Sequence, residues 1–168
     1  CPILKDINME IFIDTSVIYT DPYWKRNFPG QIIDAAKNGQ LNIYFSDVVL
    51  RELRRNFEKQ IEKELLVIAA ANSNVNKLSQ RHKTIEIPKK EIYLAEFDEY
   101  YNDFFKHKNI ILLKTEDNIL NELLEKAIHR IKPFTDTRNE FKDAAIWTTY
   151  YRYRSEEHTS ELQSHACI

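Results

Sequence analysis

Glycine occurs only twice in the 168 residues and proline five times, which is too little punctuation for a turn-rich all-β design or a flexible linker. There is no stretch of about twenty apolar residues, so no membrane-spanning helix is expected. No basic segment followed by an apolar one opens the chain, so a secretory leader is not expected. There is also no charge excess. With 24 Lys+Arg against 26 Asp+Glu, the chain is not a strongly basic coat for nucleic acid, although a local basic face stays open. Cysteine appears twice, at Cys1 and Cys167, which is no basis for a disulfide framework, and a reducing cytoplasm is the default expectation. What is present is a 43% hydrophobic fraction, enough for a core, in a length that suits one domain.

The two ends of the chain stand apart. The string Arg154-Ser-Glu-Glu-His-Thr-Ser-Glu-Leu-Gln-Ser-His165 resembles a read-through translation of a common short-read sequencing adapter. The competing reading is an exposed polar helix. On the adapter reading, residues 154–168 are a non-native tail, a domain spans 9–153, and Cys167 is not authentic. Without the tail, 23 basic and 23 acidic residues remain. Met9, directly before the first apolar run, is a candidate initiator.

Met9-Glu-Ile-Phe-Ile13 reads as a buried strand that breaks at Asp14-Thr-Ser16. Asp21-Pro22 and Pro29-Gly30 suggest a loop, and residues 31–37 a short helix stopped near Gly39. Residues 41–45 form a second expected strand. Ser46 or Asp47 then caps a long helix from Val48 to about Ala71, with the polar run 72–81 as an expected interruption. Further helices are expected over 89–106, 118–131 and 139–153, with a third strand at 109–113. The order β-α-β-α-α-β-α-α implies an α/β fold around a parallel sheet.

Three acids stand where chemistry could use them. Asp14 follows the first strand, and in open parallel sheets ligands bind beyond the carboxyl ends of strands. Taken alone, Asp14 fits a helix cap at least as well. At ~100° per residue, Glu52 falls between Val48 and Val49, at the margin of the long helix's packing face. A glutamate drawn toward a core needs a partner or a metal, and Arg51 or Arg55 offers an ordinary surface pair. Asp143 lies in the first turns of the last helix, a position the helix dipole alone explains.

Taken together, Ile11-Phe-Ile-Asp-Thr-Ser-Val17, Ser46-Asp-Val-Val-Leu-Arg-Glu-Leu53 and Phe141-Lys-Asp-Ala-Ala-Ile-Trp147 resemble the PIN-domain nucleases. The resemblance is to a larger PIN-like group with a helical insertion between the second and third acids, here 91 positions apart. Ile131-Lys-Pro-Phe134 is also similar to that group. The resemblance implies a three-layer sandwich with a parallel sheet, incomplete at its C-terminus because a fourth acidic or amide residue and the closing strands have no counterpart here. It implies hydrolysis of phosphodiester bonds in single-stranded RNA, with Mg²⁺ or Mn²⁺ held by Asp14, Glu52 and Asp143. Clustered carboxylates repel one another without a cation, and hard oxygen donors suit these ions. Thr15 and Ser16 would orient Asp14 or a metal-bound water. The truncation implies weak metal binding and poor cleavage by this chain, relative to an intact parent.

Substrate contacts are expected from Arg55 and Lys59, which share the Glu52 side of the long helix, and from Lys132, Arg138 and Lys142 before and around Asp143. Solvated faces explain single Lys or Arg residues equally well. Tyr93, Phe97, Tyr100, Tyr101, Phe104 and Phe105 could stack on bases, but their spacing more often marks a core stripe. Three further readings stay open: a degenerate module that binds RNA or protein without cutting, a related DNA nuclease, and a toxin with an antitoxin-type partner. A haloacid-dehalogenase-like phosphatase would need a second Asp where Ser16 stands.

Overall fold

The structure is a computed structural model that describes residues 9–80, 86–116, 118–131, 134 and 140–165. The element order is β1 (Met9–Ile13), α1 (Thr15–Ile18), α2 (Asn27–Lys37), β2 (Leu41–Ser46), α3 (Asp47–Leu78), α4 (Lys90–Phe104), β3 (Ile110–Leu113), α5 (Ile119–Ile128) and α6 (Phe141–His165). The three strands form one parallel sheet in the order β1-β2-β3, with Ile11 opposite Ile43 and Phe45 opposite Leu112. Parallel strands need crossover connections, which helices supply here, and such a sheet is covered on both faces. The central strand is covered in this way, because Ile43, Tyr44, Phe45 and Ser46 are all buried.

Side-chain alternation sends Ile13, Ile43 and Phe45 to one face and Phe12 and Tyr44 to the other. On the first face Phe45 packs edge-on against Trp24 and Phe104. On the second, Phe12 stacks on Tyr44 and contacts Tyr150, while Tyr44 contacts Tyr153, so α6 covers that side. The result is a helix–sheet–helix sandwich, the α/β architecture expected from the alternation of apolar runs. A second, smaller core of Ile119, Leu123, Phe134, Ala144 and Ala145 joins α5 to α6.

Three element boundaries differ from expectation. Pro29 and Gly30 lie inside the first turn of α2, not in a loop. Proline is tolerated there because first-turn amides have no intrahelical partner. The helix α3 passes through residues 72–78 without interruption. Asn and Ser cost only a fraction of a kcal/mol each in a helix, roughly 0.5, and no glycine or proline breaks the ladder. Finally, α6 does not stop at Tyr153 but continues to His165.

The α3–α4 hairpin is braced on its surface by a bidentate Arg54–Asp98 pair at 2.7 and 2.9 Å and by Lys90 bonded to Glu58 at 2.8 Å. Inside it, Phe57 stacks on Phe97, which in turn meets Tyr101 at a tilt. The aromatic run of α4 is therefore core: Phe97, Tyr101 and Phe104 are buried, and Tyr93, Tyr100 and Phe105 pack against that core. Among the described residues, no helix is long and apolar enough to cross a membrane.

Candidate active site

The carboxyl ends of β1 and β2 are tied together by one side chain. The Tyr150 hydroxyl donates to the Ile13 carbonyl at 2.6 Å and accepts from the Ser46 amide at 2.9 Å. Burial pushes the Tyr150 phenol up to about 12, so it stays a neutral donor. Asp14 begins directly after this tie, and α3 begins just after Ser46. Ser46 caps α3 by accepting from the Val48 amide at 3.2 Å. The next residue, Asp47, accepts from the Thr115 amide and hydroxyl at 3.1 and 2.5 Å, which anchors the segment after β3 to the same helix start.

Asp14 sits at the N-cap position of α1 with extended backbone angles, yet its carboxylate makes no capping bond. It accepts instead from the Ser16 hydroxyl at 2.7 Å. The capping explanation for Asp14 thus describes its backbone and not its side chain. The neighbouring Thr15 is buried and donates to Oε2 of Glu52 at 2.7 Å. That bond links the end of β1 to the second turn of α3.

Glu52 does not pair with the nearby arginines. Arg51 turns back to Asp47 at 2.5 Å, and Arg55 is exposed. The other oxygen of Glu52, Oε1, accepts from the ammonium of Lys142. Lys142 Nζ also lies 3.9 Å from Oδ1 of Asp143. Its pKa is raised first by the hydrogen bond to Glu52 and then by the negative charges of Glu52, Asp143 and Asp14, against an opposing effect of burial. Glu52 thus contacts the lysine ammonium, Asp143 lies close to it, and Asp14 adds only a weaker, longer-range attraction. Asp14 and Asp143 also line a common cleft of about 700 Å³ between β1 and α6, walled by Phe12, Ile146, Trp147 and Tyr150.

Carboxylate and hydroxyl oxygens are the donor chemistry that a hard divalent ion takes, and a positive charge already rests among them. Among the described residues, no group of three or more His, Cys, Asp or Glu is gathered closely enough to hold an ion as it stands. The donor types suit a hard cation, but as placed these side chains do not form a site for one.

Arg55 and Lys59 occupy exposed positions one and two turns along α3 from Glu52 and do not line the cleft. Lys132 and Arg138 lie outside the described residues. The tight contact of Lys142 with Glu52 was not read from the sequence, although a signal existed. A cation in the first turn of a helix opposes the dipole, so Lys142 demanded a partner from elsewhere. Tyr150 carried no comparable signal, because a tyrosine at that spacing reads as ordinary core.

A comparison with curated proteins and with solved structures returns no match. A family model described as PIN domain matches residues 11–164. That span contains all three acids, both carboxyl-end connections and the whole sheet from Ile11 onward. The chain belongs to the PIN domain family, whose members are generally metal-dependent nucleases.

Proposed function

We propose that the protein is an endoribonuclease that hydrolyses phosphodiester bonds in single-stranded RNA, with Mg²⁺ or Mn²⁺ held by Asp14, Glu52 and Asp143. The observation that carries this reading is that Asp14 and Asp143 line one cleft, while Glu52 is tied to Thr15, the neighbour of Asp14, and to Lys142, the neighbour of Asp143. When bound, the ion would lower the pKa of a coordinated water and offset charge on the phosphate and leaving oxygen. The chain's own part is positional. Thr15 holds Glu52 by one oxygen, Ser16 holds Asp14, and Tyr150 fixes the strand ends from which these residues depart. Arg55, Lys59, Lys132 and Arg138 would hold the substrate backbone through phosphate contacts, which makes binding weaken as salt rises. An antitoxin-type protein as partner belongs to the same proposal.

One observation favours a second reading, a module that binds RNA without cutting it. Glu52 already has both oxygens engaged, by Thr15 and Lys142. A single experiment separates the two. The chain is incubated with a fluorescent single-stranded RNA, and separately with DNA of the same sequence, in Mn²⁺ or in excess chelator. Cleavage of RNA that needs the ion, and that falls roughly a hundredfold in Asp14→Asn and in Asp143→Asn, is the expected result. RNA retention without cleavage in every condition would establish the binding module instead.

A further inference from the structure

β1 lies at the border of the sheet. Among the described residues it pairs with β2 alone, so its other side offers backbone amides and carbonyls to no strand. Borders of this kind are ordinarily blunted by lysine, proline or a bulge. Met9-Glu-Ile-Phe-Ile13 has no lysine and no proline, and all five residues pair with β2 in unbroken register. Ile11 and Phe12 are only partly buried, whereas Ile43 and Tyr44 opposite them are buried.

The cleft of about 700 Å³ runs along this border, with Ile11 and Phe12 on the strand side and Trp147 and Tyr151 on the α6 side. At ~100° per residue, Asp143, Trp147, Tyr151 and Arg154 fall within about 80° of one another, so one face of α6 forms the wall. Trp147 and Tyr151 are 72% and 74% exposed, a large apolar area left uncovered by the described residues. Tyr150 bonds to Ile13, while Tyr153 bonds to Tyr44, whose hydroxyl also reaches Glu10, so α6 runs antiparallel to β1. From Asp143 to Arg154 the wall is roughly 16 Å long at ~1.5 Å per residue, the span of about five strand residues at ~3.3 Å each.

Charge in the cleft is uneven. Asp14, Asp143 and Glu140 stand at the end where β1 finishes, and Glu10 and Arg154, of opposite sign, at the other. Lys142 lies 3.9 Å from Asp143 but is turned to Glu52 and does not line the cleft. We propose that the outer border of β1 accepts an extended segment of another protein as an added strand, with apolar side chains against Trp147 and Tyr151 and a cationic side chain at the Asp14–Asp143 end. Main-chain hydrogen bonds supply affinity in such an addition, and contacts to alternate side chains supply selectivity. The inference goes beyond the nuclease reading and does not rest on it, since neither an ion nor cleavage enters it.

The test uses the full chain and short capped peptides of alternating valine and threonine, with a lysine pair at the carboxyl or at the amino end. Trp147 stands in the cleft, so its fluorescence reports occupancy, and Trp147→Phe gives the background from buried Trp24. Micromolar binding of at least one lysine peptide is expected, and which one binds fixes the direction of the added strand. Replacing the lysines by glutamates is expected to weaken binding about tenfold. Proline placed in turn at two adjacent central positions removes an amide that faces β1 in one case and points away in the other. One of these two peptides is expected to bind about tenfold more weakly than its partner.

No response to either lysine peptide at about 1 mM overturns the proposal. Equal binding of the two proline peptides overturns it, because strand pairing then plays no part, and undiminished binding of the glutamate peptides does so because the acidic end then plays none. A Trp147 response to single-stranded RNA and to no peptide assigns the cleft to nucleic acid. A sedimenting dimer that the peptides leave intact assigns the border to a second copy of the chain. Either result overturns the proposal, and the cleavage assay described above is decided separately.

Discussion

The smallest unit that matters for both fold and site is a single phenol. Tyr150 donates to one strand's last carbonyl and accepts the amide of the next strand's last residue, and it is buried. Tyr150→Phe keeps the ring and removes both bonds at once, leaving a buried amide and a buried carbonyl short of a partner. We expect a loss of about 1–3 kcal/mol. A lower urea midpoint with an unchanged m-value would register it. An equal midpoint would mean that water takes over both bonds. The site residues illustrate how far a residue-level reading of sequence reaches. Asp14 and Asp143 could be singled out because each sits at a position that physics marks, a strand end or a helix start, and Glu52 because it falls at the margin of a packing face. Their contacts could not, because Thr15, Glu52 and Lys142 meet only after the chain has folded.

At the scale of elements, the end of α2 shows local chemistry acting alone. Gly39 has a φ of +75°, and its amide and that of Gln40 reach back to the carbonyls of Ala36 and Ala35. This is the double hydrogen bond that closes a helix through a left-handed residue. A Cβ at Gly39 would meet nothing within 4 Å, so the position is constrained by backbone angle and not by space. Gly39→Ala is therefore expected to cost about 1 kcal/mol, with Gly39→Asn costing less. Thermal unfolding of the two variants checks the order. The stop near Gly39 was readable in advance because glycine is a local signal. The unbroken course of α3 through 72–78 was not, because weak helix formers do not end a helix unless something else competes for the chain.

For the molecule as a whole, the aromatic core sets the alkaline limit of stability. Tyr100 and Tyr150 are each pushed up to about 12, chiefly by burial, and Tyr101 is raised further for the same reason. These phenols ionise more easily in the unfolded chain, near the ordinary value of about 10. Their contribution is thus complete below about pH 10 and is lost as pH climbs through about 12. The melting temperature should fall steadily across that window, and Tyr150→Phe should flatten part of the slope. A melting temperature indifferent to pH in that range would contradict the burial of these rings. The overall architecture was legible from the order of apolar runs, because parallel strands with helical crossovers admit few arrangements. The continuation of α6 to His165 was not, because a polar helix and a polar tail have the same composition.

One hydroxyl on α6 bridges the two strand ends, and Asp143 lies two turns earlier on that same helix. Sliding or rolling α6 would pull the phenol from its seat and carry the third acid away in one motion. Alignment of the acids is consequently gauged by whether the sheet is correctly closed at that end. On the proposed function, substitutions that unseat Tyr150 would lower turnover while the molecule still melts as a folded body.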